Sequence, residues 1–598
     1  MGLTGASIAL AAAAALAPGL FALRRDRGAL LVSDARVARD VLAGRLRYPD
    51  RWTAALAALG ISTVWLVRRL FERAMFEGGD GTIYTGVDHN IGDLPFHIAL
   101  IHGFVYGANF PPEHPELAGV RLTYPFLVDF VTAILVRSGR GLRDAMFVVN
   151  VTLALALVAL LFRWASLVTR DRLAAVATPL LVLLSGGFGF RLLARDVDPT
   201  QGGLVGLLPR MWHDYTILGT GELRWGNVIV TMLLPQRAIL MGMPLVIAVW
   251  ALWSQALAEP ATEEGTRRGR RLLAGAGMIT GLLPLVHAHA FAVTIAVALA
   301  IAILGRRLRE WRFFFAPAFA LSLPQIAWLA VGSGLHAGQF LDWQVGWDRG
   351  TRNPFWFWLD NLGLFIPLLV VALLRGWRRR WLSKRVLLLY LPFVACFLIP
   401  NLLRLSPWIW DNIKILIWWH VASAVIVAML LARVWRRGGG WRVAAALAFF
   451  LLTLSGALDV GRVASKTIQI AIYEGPAVAF AHRIRAVTPP RSIVLHAPTY
   501  NSEVYLAGRR SVLGYLGHTW SQGLDAGTRE EDVRAIYAGR PEADALLSAY
   551  GVGYVLVGPR ERDLERGIDD TFLDRLRLIA ESADYRLYAI ESRDARQP

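Results

Sequence analysis

The sequence predicts a helical protein that crosses a membrane many times and carries a small α/β unit at its C-terminal end. Three observations lead there. The chain of 598 residues is 55% hydrophobic, with 22 Trp and 27 Phe, and its mean hydropathy is +0.45. Apolar runs close to the roughly 20 residues that a helix needs to cross a roughly 30 Å hydrocarbon core recur along most of it. Near residue 458 those runs stop, and short alternating stretches take over.

Taken in order, the apolar segments fall at 4–22, 52–71, 121–138, 143–165, 173–190, 237–256, 272–285, 288–304, 312–331, 354–374, 386–402, 409–432 and 441–458. The first, TGASIALAAAAALAPGLFAL, is long for the core of a signal peptide and is followed, not preceded, by basic residues. It reads as a membrane helix with its N-terminus outside. The stretch WGNVIVTMLLPQRAILMGMPLVIAVWALW reads as a short helix, a break at Pro235 and a second helix, which leaves Gln236 and Arg237 near the outer face. About thirteen or fourteen spans are expected.

Positive charge falls in short clusters between these runs: RRDR at 24–27, RSGRGLR at 137–143, RRGRR at 267–271, RRLREWR at 306–312, RGWRRR at 375–380 and RRGGGWR at 436–442. The formal net charge of +18 is therefore read as cytoplasmic loops under the positive-inside rule, not as a nucleic-acid-binding face. The same markers place the 72–120 loop outside. Outside too fall the loops around His287, 332–353 and 403–408, and everything after 458. Cys396 is the only cysteine, which excludes a disulfide within the chain and leaves no thiolate metal cluster. No repeat of 20 to 50 residues is visible.

Beyond 458, SIVLHA, SVLGYLG, GYVLVGP and YRLYAIE read as strands, while EADALLSAYG and TFLDRLRLIAES read as helices. The expected organisation has three parts. Residues 1–51 form a first membrane helix and a basic segment, 52–458 the transmembrane domain, and 459–598 an extracytoplasmic α/β domain. Abundant Ala, Arg, Leu and Gly suggest a GC-rich bacterial source, and so a multi-pass protein of the inner membrane.

The chemistry concentrates in the 72–120 loop, at VDHNIGDLPFH. Asp93 stands before Leu94 and Pro95, where it reads either as the cap of a helix DLPFHIALIHGFVYG lying on the membrane surface or as a base. Acids at a water–lipid boundary have raised pKa values through desolvation, which suits proton abstraction, and Asp88 has no helix of its own to cap. A divalent ion, Mg²⁺ or Mn²⁺, on Asp88, His89, Asp93 and His97 is a second reading, although the spacing fits no metal signature.

Elsewhere, Arg237 beside the proline break, His287 and His289 in LVHAHAF, and Arg404 and Lys414 around SPWIWDNIKILIWWH are candidates to bind phosphate. Asp411 and Lys414 also read as a mutually neutralising pair one turn apart. The loop FLDWQVGWDRGTRNPFWFW reads either as a sugar-stacking surface or as an interfacial tryptophan belt.

The run GDLPFHIALIHGFVYGANFPPEHPELAGVRLTYPFLVDFVTAIL, an acidic motif and surface helix in a large first external loop, resembles the GT-C superfamily of membrane glycosyltransferases over residues 50 to 460. The resemblance implies a polyprenyl-phosphate-linked sugar donor, an inverting transfer to a glycan, lipid or protein acceptor, and an aspartate as general base. Asp88 matches that aspartate best and Asp93 next. The chain departs from the family in having Asp-His where an adjacent acid pair is often found. Two other classes remain open on the residues alone: a transporter or flippase for a lipid or polar solute, and a non-catalytic subunit of a cell-envelope complex. No Gly-rich phosphate loop supports a nucleotide-sugar enzyme.

Overall fold

A computed structural model describes residues 4–7, 9, 50–330, 341–564 and 567–590. The expected first membrane helix and most of the basic segment after it lie outside the described residues. Each of the other apolar segments appears as a helix or a bent helix pair. Among the described residues, seven helices are long and apolar enough to cross a membrane, or nine when each bent pair is taken as one span. The chain is a multi-pass membrane protein.

Charged and polar residues set the helix ends. Asp50, Asp171, Thr262 and Ser383 each accept backbone N–H bonds at the start of the helices Arg51–Ala74, Arg172–Leu183, Glu263–Gly281 and Lys384–Leu398. Helix Ile413–Trp435 runs through the middle of the bundle, and every residue from Leu416 to Ala432 is buried. It has no polar face because it has no water to meet. Pro235 ends the turn Ile229–Leu233, which is a π-helix, and the chain restarts as helix Arg237–Ala256.

The segment Asp93–Tyr106 is helical, but Pro95 to Phe104 are all buried. The expected surface helix is instead an enclosed one. Its mean composition already hinted at this, since apolar residues surround it on every side.

Short strands tie the loops together. Strands β1 (Phe76–Glu77) and β2 (Ile83–Thr85) form a hairpin, and β3 (Asp342–Trp343) pairs with β4 (Leu403–Arg404). Strand β5 (Ile470–Tyr473), just after the last membrane helix, pairs antiparallel with β2. The C-terminal α/β region is built on β6 (Ile493–Leu495), β7 (Arg510–Ser511), β8 (Tyr554–Val557), β9 (Arg577–Glu581) and β10 (Arg586–Ala589), in the order β7-β6-β8-β10-β9. Here TFLDRLRLIAES departs from expectation. Only Asp570–Leu573 is helical, and Arg577–Glu581 is a strand because β10 offers it an antiparallel edge. Its helical spacing is real but is overridden by tertiary pairing.

Candidate active site

Residues 86–92 form a tight turn between β2 and the enclosed helix, which begins at Asp93. Asn90 takes a left-handed conformation (φ 50°), which asparagine tolerates, and its carbonyl accepts from the N–H of Asp93 at 2.9 Å. The Asn90 amide donates to the carbonyl of Thr231 at 3.1 Å, which anchors the turn to the broken helix.

Asp88 and His89 project from this turn toward Asp214 and Arg462. Arg462 donates to Asp88 at 2.7 Å and to Asp214 at 2.8 Å. It also donates to the carbonyls of Met211 and Trp212, both at 3.2 Å. One rigid fork thus holds two carboxylates and the loop that carries one of them. Three residues earlier on the same helix (Gly440–Ala464), Asp459 accepts from the backbone of Tyr215 and the hydroxyl of Thr216, both at 2.5 Å. The last membrane helix therefore positions Asp214 through both its acid and its arginine.

His89 Nε2 bonds the second oxygen of Asp214 and lies 3.8 Å from Asp88 Oδ1. Burial opposes a charge on His89, but the carboxylates of Asp214 and Asp88 outweigh it and raise the imidazole above its ordinary pKa. Burial likewise pushes the Asp214 carboxyl up, and the His89 bond and Arg462 charge reverse this to hold it below the usual range.

One ligand atom each from Asp88, His89 and Asp214 lies within 4.8 Å of the others. Asp88 Oδ1 is enclosed and has no hydrogen-bond partner among the described residues. Two carboxylates and an imidazole suit a divalent cation, and the unpartnered oxygen is where such an ion would add a bond. Beside the cluster a cavity of about 230 Å³ is lined by Asp88, His89, Asn90, Arg224, Trp408 and Trp410, among others.

The structure divides the remaining sequence-predicted residues. Asp93 is not a cap: it is the first helical residue, and Gly92 occupies the cap position. Burial raises the Asp93 carboxyl above its ordinary range, against the pull of His97, His518 and Lys414. No hydrogen bond to its carboxylate is found among the described residues.

His97 belongs elsewhere and is not grouped with Asp88 and His89 as a metal ligand. It is buried, with Nδ1 2.9 Å from Asp129, and the N–H of Arg237 donates to its Nε2 at 3.4 Å. Arg237 is 1% exposed and spends its fork on Asp129, Thr132 (2.5 Å) and Asn150 (3.1 Å). It is a structural cation closed to a phosphate.

His287 caps the helix Ala288–Leu304 by accepting from the N–H of Ala290 at 3.0 Å, with its ring 5.6 Å from that of His289. Lys414 pairs with Asp411 at 3.0 Å. Arg404 sits on β4 opposite Asp342.

A further pair, Glu116 and His518, joins this region to the C-terminal sheet. His518 Nδ1 lies 3.0 Å from both oxygens of the fully buried Glu116. Its Nε2 faces Gly92, where a Cβ would come within 2.8 Å.

Reading the sequence missed Asp214 and Arg462. The signal for Asp214 was the Trp-His-Asp at 212–214 in a stretch between apolar runs. For Arg462 it was an arginine placed directly beyond one.

Among solved structures, the chain is similar to the mycobacterial arabinofuranosyltransferase AftD, with TM-score 0.52 and 15% identity over 90% of this chain and 40% of that one. It is also similar to the Archaeoglobus fulgidus oligosaccharyltransferase in complex with zinc and sulfate, with TM-score 0.50 and 10% identity over 88% of this chain and 73% of that one. No family model and no curated protein sequence matches it. The likeness is one of shape: the chain shares its overall fold with these two proteins.

Proposed function

We propose that this chain is an inverting membrane glycosyltransferase that moves a sugar from a polyprenyl-phosphate donor to a glycan, lipid or protein acceptor. Its site would open on the extracytoplasmic face of a bacterial plasma membrane. The observation that carries the reading is the Asp88–His89–Asp214 cluster bordering a cavity walled by Trp408 and Trp410. Aromatic faces suit a sugar ring, and the fold is one that glycosyltransferases use.

Asp88, His89 and Asp214 would hold a divalent cation, which would supply neutralising charge for the departing phosphate. The archaeal enzyme of this fold was crystallised with zinc and sulfate, which accords with such a role. Arg224, which also pairs with Asp348, borders the same cavity and offers a cation to the phosphate, while Lys414 directs a positive charge toward Asp93.

For the base, the sequence favours Asp88, but Arg462 and the cluster already engage that carboxylate. Asp93 fits better. Among the described residues no group hydrogen-bonds its carboxylate, and burial raises its proton affinity. The acceptor's proton would pass to Asp93 as its oxygen or nitrogen attacks the anomeric carbon and the carbon–oxygen bond to phosphate breaks.

The test is a transfer assay in nanodiscs with a panel of radiolabelled polyprenyl-phosphate sugars, with and without EDTA. Asp88→Asn and Asp214→Asn should lose donor turnover of every kind. Asp93→Asn should lose transfer while keeping slow donor hydrolysis. Full transfer by Asp214→Asn would remove the cluster from the mechanism, and full transfer by Asp93→Asn would remove Asp93 as base.

A further inference from the structure

The far end of the bundle gathers arginines that the chain does not neutralise, and we propose that it binds the phosphate headgroup of an anionic phospholipid. Helix Arg237–Ala256 starts beside His97 and runs about 30 Å away from it, at 1.5 Å per residue. The next helices return and go back again, so the 257–262 loop and the 305–307 turn share that far end. Both line one cavity of about 100 Å³, with Glu259, Gly269, Arg270, Arg307, Glu310 and Trp311 in its wall.

The basic motifs RRGRR (267–271) and RRLREWR (306–312), far apart in sequence, are brought together here. Arg267 pairs with Glu263, Arg268 with Glu259 at 3.2 Å, and Arg307 loosely with Glu310 at 3.7 Å. That leaves Arg270, Arg271, Arg306, Arg309 and Arg312 with no carboxylate partner among the described residues, against one unpaired acid, Glu264. Arg270 and Arg312 each hold their guanidinium 5.1 Å from the centre of the same Phe313 ring. Two forks fixed on one aromatic ring are pre-organised for phosphate oxygens, which guanidinium binds in bidentate fashion.

A free phosphate would need nothing more. The neighbouring surface, however, is aliphatic: Ile303, Leu304 and Leu308 are 53–55% exposed where they flank the turn. Acyl chains would cover these while the headgroup meets the arginines, the arrangement expected of basic pockets between membrane helices. Positive-inside charge alone would explain scattered arginines, but not a cavity that two basic motifs share. The inference is independent of the reaction proposed above.

Native mass spectrometry of the full chain, released from micelles containing phosphatidylglycerol or phosphatidylcholine, tests it. Wild type should retain phosphatidylglycerol preferentially. Arg270→Gln with Arg312→Gln should weaken that retention about fivefold for each arginine removed. Arg378→Gln with Arg379→Gln, which removes the same charge from another exposed cluster, should change it less than twofold. Arg270→Lys, which keeps the charge and loses the fork, should fall between, and this guards against a folding defect. Equal loss in both double variants would overturn the site, as would equal retention of phosphatidylcholine. Displacement of the lipid by millimolar inorganic phosphate would show a free-phosphate site instead and overturn the lipid assignment.

Discussion

Arg462→Met is the substitution that most directly probes the cluster. It keeps the bulk of the side chain and deletes the one guanidinium bridging Asp88 and Asp214. The carboxylate ligand atoms lie within 4.8 Å of one another. At an effective dielectric of about 20, two unit charges at that separation repel by about 3.5 kcal/mol or more. His89 offsets part of this, and the carbonyls of Met211 and Trp212 lose their donors as well. The variant should therefore fold with about 3 kcal/mol less stability at neutral pH, in the range for breaking a buried pair. Two things should restore it: a proton shared between the acids on lowering the pH, and a divalent cation. The assay is thermal unfolding in detergent by tryptophan fluorescence, from pH 8 to pH 5.5, with and without millimolar Mn²⁺. The expected result is a melting temperature below wild type at pH 8 that rises as the pH falls, and that rises on adding Mn²⁺ by more than in wild type. A variant that melts like wild type and ignores both pH and Mn²⁺ would show that Asp88 and Asp214 do not share a field, and the metal reading would go with it.

Other consequences are as direct. Arg237→Met strands buried Asp129 and should cost about 3–5 kcal/mol, while adding Asp129→Leu should recover most of it; melting of the two variants decides. Burial pushes His102 down to about 3, and His114 and His496 down to about 4. The folded chain thus refuses protons that the unfolded chain accepts, so stability present above pH 6.5 is lost as pH falls toward 4, at about 2–3 kcal/mol per histidine by pH 4.5. Amide exchange across the C-terminal sheet should rise over that window, and unchanged protection would contradict the burial. Gly508 has φ +72°, and a Cβ there would lie 2.5 Å from the carbonyl of His102. Gly508→Ala should cost about 1–3 kcal/mol and loosen the C-terminal region from the enclosed helix, seen as faster limited proteolysis in that region.

The sequence alone determined the class of this protein. Lipid-length apolar runs, basic clusters between them and the compositional change near 458 are properties of composition and order, which need no knowledge of what packs on what. It also singled out Asp88, His89 and Asp93, because ionisable groups crowded between apolar segments stand out locally. Tertiary structure decided which of those groups lie together. Asp88 and His89 find their partners 125 to 374 residues away, at Asp214 and Arg462, and no spacing rule spans such a gap. His97 and Asp93 sit one turn apart on one helix and still feel each other, but the His97 ring bonds Asp129 and meets the Arg237 N–H, while Asp93 also faces the charges of His518 and Lys414. Arg237 looks free in the sequence and is consumed inside the fold, because a buried guanidinium is stable only with its donors satisfied. Strand β9 reads as helix for a related reason: its apolar spacing allows either form, and only the edge of β10 selects one.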